Sequence, residues 1–338
     1  MVSPSGAKKV PDAQNNHGWL YEKGQGVPQD YAEAAGWYAK AAEKGVANTN
    51  AQYNLARLYA KGQGVPQDYA TAATWYRLAA AQGQASAQYR LGWLYAKGRG
   101  VKQDARQAVA WFRKAADAGI AAAQNRLGWL RLRGKGVKKD YAKAARWLEA
   151  AAKQEYTIAY YHLATINRRG LGRAKDHAVA ARLYATAANR GHVRSQYRLG
   201  WYLYRGIGVA KDISQAAAGI GKAAATGHAK SQHSLGWMYT KGNGVKRNPV
   251  TASAWFRKAA EQGYIDAQAR LGLLYRKGIG AKQDKVEAYM WYSLAASNAK
   301  AAAKARKDAR KYQGLLAKTM SPAQISKAKR RFKDFRAK

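Results

Sequence analysis

Residues 85–120 read ASAQYRLGWLYAKGRGVKQDARQAVAWFRKAADAGI, and this stretch decides the fold. Ala87, Leu91, Gly92 and Tyr95 fall at helical spacing in a segment without proline. Gly98-Arg99-Gly100 then breaks the helix, because glycine accepts the positive φ that ends it. Asp104 opens a second helix, where its carboxylate can accept the free N–H groups of the first turn. That helix carries Ala108, Trp111, Phe112, Ala115 and Ala116 and stops at Gly119. Two helices of about 12 and 15 residues are too short to stand alone and must stack on others.

The others are present in the same chain. The Gly-x-Gly turn recurs at Gly24/Gly26, Gly62/Gly64, Gly98/Gly100, Gly134/Gly136, Gly170/Gly172, Gly206/Gly208, Gly242/Gly244 and Gly278/Gly280. A fixed period of this size marks a stack of like supersecondary units. The helix-opening residue recurs with it, as Asp30, Asp68, Asp140, Asp176, Asp212 and Asp284, with Asn248 in the seventh unit. The expected fold is all-α: an α/α superhelical solenoid of about eight 36-residue helix-turn-helix repeats, with a C-terminal capping helical segment. The expected division is a disordered segment 1–10, repeats over 11–298, and basic capping helices over 299–338.

The pattern A-x-x-x-LG-x-LY-x-x-G-x-GV-x-x-D-x-x-x-A-x-x-W-x-x-x-AA-x-x-G resembles the Sel-one-like repeat (SLR), a relative of the tetratricopeptide repeat. The resemblance covers about residues 11–298. It implies a superhelix whose concave wall is built mainly from first helices, with adaptor and scaffold roles, often in exported bacterial proteins. Some family members pair cysteines within each repeat; this chain has no Cys. Leu183 and Gly219 stand in place of the second-helix Trp, and Ala56 and Ala164 in place of the LG glycine.

Charge is the second large fact. There are 60 Lys and Arg against 19 Asp and Glu, a net +41. Residues 1–84 contribute only +2, residues 85–298 contribute +27, and residues 299–338 contribute +12. Such a potential draws in polyanions and repels other copies of the chain. No uncharged apolar run approaches the ~20 residues that span a bilayer. Residues 1–14 lack the apolar core of a secretory signal, which reads as cytoplasmic as the sequence stands, or exported if a leader has been removed.

Successive helical residues turn by about 100°. With Arg90 at zero, Gln88, Leu91, Gly92 and Tyr95 centre near the buried side, and Arg90, Trp93 and Lys97 form a stripe almost opposite. The trio recurs as Arg126, Trp129, Arg133 and as Arg198, Trp201, Arg205. Partial versions include Trp237 with Lys241, and Arg270 with Lys277. Two units lack the Trp and keep Arg57 with Lys61, and Arg169. An Arg or Lys beside a Trp face is held by cation–π attraction, and the indole offers a stacking surface. Two arrangements fit the Trp positions: open to solvent along the wall, or packed sideways on the next repeat. The first makes these residues a partner-binding wall for an acidic protein or peptide; the alternative partner is nucleic acid or another polyanion, read without sequence preference.

The tail adds a second set of cations. Ala299 to Gly314 reads as helix, and Ser321-Pro322-Ala323-Gln324 starts another. In it Ile325, Ala328, Phe332 and Phe335 share one side. That side either caps the last repeat or lies on an anionic membrane. No catalytic residue is expected. His17, His162 and His233 have no zinc spacing, His192 and His228 fall in equivalent turns, the acidic residues are mostly helix caps, and the Gly-x-Gly turns lack the ending of a phosphate loop. The chain reads as a non-enzymatic scaffold without cofactor or metal.

Overall fold

The computed structural model describes residues 4–43, 48–298 and 303–337, and these residues form helices and turns with no strand. They fall into two compact units, Met1–Ala174 and Lys175–Lys338. The first holds α1 (Pro4–Lys23), α2 (Tyr31–Glu43), α3 (Thr49–Lys61), α4 (Tyr69–Ala81), α5 (Ala85–Lys97), α6 (Ala105–Asp117), α7 (Ala121–Arg133), α8 (Tyr141–Lys153) and α9 (Thr157–Arg169). The second holds α10 (His177–Asn189), α11 (Val193–Arg205), α12 (Ile213–Ala225), α13 (Ala229–Lys241), α14 (Pro249–Glu261), α15 (Ile265–Lys277), α16 (Lys285–Ser297), α17 (Ala303–Ala317) and α18 (Pro322–Ala337). Segment 1–10, expected to be disordered, is helical from Pro4 onward. Proline suits a helix start, where its missing N–H leaves no bond unmade. Residues 1–3 lie outside the described residues.

Each repeat is built as its residues dictate. Gly98 ends α5 in the left-handed region at φ 67°, and its N–H donates to the Leu94 carbonyl at 2.8 Å. Asp104 opens α6, its Oδ1 accepting from the N–H of Arg106 at 2.8 Å and Gln107 at 3.0 Å. The same cap recurs at Asp68, Asp140, Asp176, Asp212, Asn248 and Asp284. Leu91 and Leu94 of α5 are buried with Tyr76 of α4, and Phe112 and Ala115 of α6 are buried in the clusters that continue to Leu130 and Leu127 of α7. Gly92 lets them close: a Cβ there would sit 2.9 Å from the Phe112 ring.

Two devices lock one repeat to the next. Gly100, at φ 66°, lies against the start of α4, and a Cβ on it would overlap the Tyr69 carbonyl. The buried Gln88 side chain donates to the Ala80 carbonyl at 3.2 Å, a second bond to an oxygen that already accepts from the Gly83 N–H at 3.1 Å. Gln124, Gln232 and Gln268 do the same for Ala116, Ala224 and Ala260.

At the C-terminal end, α17 and α18 close the last repeat. The helix expected over 299–314 is α17, and residues 299–302 lie outside the described ones. Ser321 and Gln324 form the reciprocal cap, at 3.0 and 3.3 Å. Leu316 and Ala328 are buried in the cluster that holds Trp291 and Tyr292, and Ile325, Phe332 and Phe335 pack against it. Among the described residues, no helix is long and apolar enough to cross a membrane.

Gly83 also has positive φ, 89°, but open space where a Cβ would go. Gly83→Ala should therefore cost about 1 kcal/mol, the strain of the left-handed conformation alone. Gly100→Ala adds the overlap with α4 and should cost about 3 kcal/mol or more. Urea denaturation of both variants measures the difference.

Candidate functional site

The stripe residues split by burial. Arg90, Lys97, Arg133, Arg205, Lys241 and Lys277 are exposed, whereas Arg126, Arg198, Arg270, Trp93, Trp129, Trp201 and Trp237 are half-buried. The indoles combine the two arrangements left open by the sequence. Trp93 packs against the Tyr76–Leu91 cluster on one side and the Phe112–Leu130 cluster on the other. Trp129 packs on the Phe112–Leu130 cluster, and Trp201 on the layer of Leu203 and Ile220. Trp237 touches that layer and the one around Phe256 and Leu271. Trp93 and Trp237 therefore seal a seam between layers, and all four rings keep part of their surface in solvent.

Cations lie over the rings. The Arg126 guanidinium is 4.7 Å from the Trp129 ring centre, and Arg133 is 5.9 Å away on the same ring. Arg205 stands 5.5 Å over Trp201. The cation on Trp93 is Arg99, at 5.0 Å, which also covers Tyr69 at 5.3 Å and donates to its hydroxyl at 3.1 Å. Arg99 comes from the turn, so a helical wheel of α5 does not contain it. Its one signal in the sequence is a cation between the two turn glycines. In the second unit Tyr204 links the stripe residues of successive repeats, 5.4 Å from Trp201 and 5.8 Å from Trp237, both edge-on.

In the first unit one cleft gathers the stripe of two successive repeats. Arg57 and Lys61 from α3 face Arg90 and Trp93 from α5, over a floor containing Tyr69 and Tyr76 of α4. Its volume, about 140 Å³, is the size of one small charged group. Arg57 is fixed there by Glu22, a buried carboxylate that also accepts from the Tyr38 hydroxyl at 3.0 Å. Two further groups mark positions where a partner would meet desolvated donors. Arg126 and Arg270 occupy the same repeat position in the two units, and the Nε of each is buried with no hydrogen-bond partner among the described residues. Burial also pushes the Arg126 guanidinium below its usual range, with a small opposing contribution from Tyr89. An unmet buried donor costs about 1–3 kcal/mol.

His192 and His228 sit at the starts of α11 and α13, each with Nδ1 against a serine hydroxyl, at 2.8 and 2.7 Å. Among the described residues no group of three His, Cys, Asp or Glu side chains could hold a metal ion.

Known proteins share this architecture. The Sel1 repeat profile matches residues 11–46, 49–84, 85–120, 121–156, 157–192, 193–218, 229–264 and 265–299. The sixth match stops just before Gly219, the residue in the place of the second-helix Trp. A Sel1 repeat protein from Oxalobacter formigenes is 30% identical over 73% of this chain and 96% of that one, with a TM-score of 0.66. The structure described as c5321, a protective antigen present in uropathogenic Escherichia coli strains displaying an SLR fold, is also 30% identical. It covers 97% of this chain and 76% of that one, with a TM-score of 0.59. No curated protein matches the chain.

Burial alone would raise the Glu22 carboxyl, but hydrogen bonds from Arg57 and Tyr38 and the Arg57 charge hold it below its ordinary value. A carboxyl whose folded pKa is depressed adds stability above its unfolded pKa, and that stability is lost as pH falls through the folded value. Glu22→Gln should cost about 2 kcal/mol at pH 7. The gap between the two proteins should begin to narrow as pH falls below about 4, the unfolded value, and should close only below the depressed folded pKa. Chemical denaturation at pH 7, 5 and 3 follows it.

Proposed function

The chain belongs to the Sel1 repeat family, and from that membership we propose that it is a non-enzymatic scaffold whose cationic and aromatic stripe binds an acidic protein or peptide. Sel1 repeat proteins are typically protein-interaction scaffolds on a generally non-catalytic fold. The observation that carries the finer reading is the cleft where Arg57, Lys61, Arg90 and Trp93 of two successive repeats converge. Its size suits a carboxylate, and Tyr69, Tyr76 and Trp93 give it aromatic walls beside the cations. The exposed cations Lys97, Arg133, Arg205, Lys241 and Lys277 recur at the ends of the other first helices. A partner with acidic groups at matching intervals would meet several at once.

A second reading, a solenoid that binds nucleic acid or another polyanion without reading its sequence, draws on the net +41. Contact of the tail with an anionic membrane would rest on charge alone, because the apolar side of α18 packs against the last repeat.

One comparison tests the stripe. Arg90→Glu, Lys97→Glu and Arg133→Glu together should weaken binding of a fluorescent glutamate-rich peptide at least about tenfold. Arg106→Glu, Arg113→Glu and Arg146→Glu make the same change in net charge on exposed residues of second helices and should weaken it far less. Equal losses would mean that net charge, not the stripe, attracts the peptide. Salt separates the two readings. Binding to duplex DNA falls with a log–log slope near −0.9 per phosphate neutralised, whereas a peptide held partly by indoles should respond less steeply.

A further inference from the structure

The second unit distributes its few acidic residues in an uneven way. It has eight: Asp176, Asp212, Asp284, Glu261, Asp266, Glu287, Asp308 and Asp334. The first three cap helices. All five others line two clefts that α17 and α18 form with the last repeats. The cleft under α18 is partly neutralised from within, since Glu287 pairs with Arg331 and accepts from the Trp291 indole N–H at 3.1 Å. The cleft under α17 is different. Its volume is about 370 Å³, within the range of small-molecule sites. Trp237, Phe256, Tyr292 and Tyr312 form its walls, the two tyrosines stacked with ring centres 5.8 Å apart.

Both signs of charge reach this apolar space. Asp266 and Asp308 supply carboxylates, and Arg270 supplies a guanidinium 5.9 Å over the Phe256 ring. None of the three is in an ion pair among the described residues, and the Arg270 Nε is buried without a hydrogen-bond partner. His233, between the Phe256 and Tyr264 rings at 5.4 and 5.2 Å, adds no charge near pH 7, because burial lowers its pKa. We infer that this cleft binds a free, apolar α-amino acid: the ammonium meets Asp266 and Asp308, the carboxylate meets Arg270, and the side chain lies among the four rings. A purely cationic ligand would leave Arg270 unanswered and face its repulsion, and a purely anionic one would face two carboxylates. A zwitterion with an apolar body satisfies all the groups together. The cleft shares Trp237 and Arg270 with the stripe, but its ligand is a free amino acid that also needs Asp266 and Asp308, so this inference and the acidic-partner reading can each fail alone.

Titration calorimetry on the intact chain tests it with three probes: L-phenylalanine, N-acetyl-L-phenylalanine and L-phenylalaninamide. The free amino acid should bind saturably. Removing the ammonium or the carboxylate charge should each weaken binding at least about tenfold, the loss of one charge-assisted contact. Asp308→Asn, at an exposed position on α17, should weaken the free amino acid by a similar factor and leave the N-acetyl probe, which lacks the ammonium, unaffected. Equal affinity for the three probes would overturn the inference, as would no saturable binding of L-phenylalanine, L-leucine or L-tryptophan at about 10 mM, the weak limit of a built site. These results come from the native protein, so they hold even if a variant fails to fold.

Discussion

The structure depends on a contact that only glycine permits. From the second turn onward, the second glycine lies against the first residue of the preceding second helix, as Gly64 on Tyr31, Gly100 on Tyr69 and Gly136 on Ala105 in one unit. Gly208 on His177, Gly244 on Ile213 and Gly280 on Pro249 repeat it in the other. Backbone meets backbone there, so neither partner can move aside. This sets the offset between neighbouring repeats, and that offset places Gln88 within hydrogen-bond reach of the Ala80 carbonyl. It also brings Arg57 and Arg90 to one cleft.

The same construction explains the surface charge. The recurrent aspartates sit at the starts of second helices, where they accept from backbone N–H groups. Much of the positive charge rests on aromatic faces instead: Arg126 on Trp129, Arg205 on Trp201, Lys114 on Trp111 and Lys258 on Trp255. Ring faces attract cations without cancelling them. The side chains are thus positioned while their charge remains available to a partner.

The C-terminal segment follows a different rule. α17 and α18 do not repeat the turn pattern, and they close the last layer with Leu316, Ala328 and Phe335. In doing so they bring Asp308 to the cleft that Arg270 and Asp266 also line, which carries both signs of charge. Elsewhere the exposed ends of the stripe carry cations alone. A capping element thereby gives one end of the second unit a chemistry that the repeats do not have.

The repeat count, the helix pairs, the caps and the turn glycines were legible in the amino-acid order, because each follows from local backbone demands within one 36-residue period. The stripe was legible as a helical face. Which cation covers which ring was not: Arg99 reaches Trp93 from the turn, and Tyr204 joins Trp201 to Trp237 across a repeat. The helical start at Pro4 and the cleft under α17 were also hidden. Local sequence determines what a backbone segment can do by itself. The burial of an indole, or the sharing of one cleft by Asp308 and Arg270, depends on the distance between segments far apart in the chain, and only their packing sets that distance.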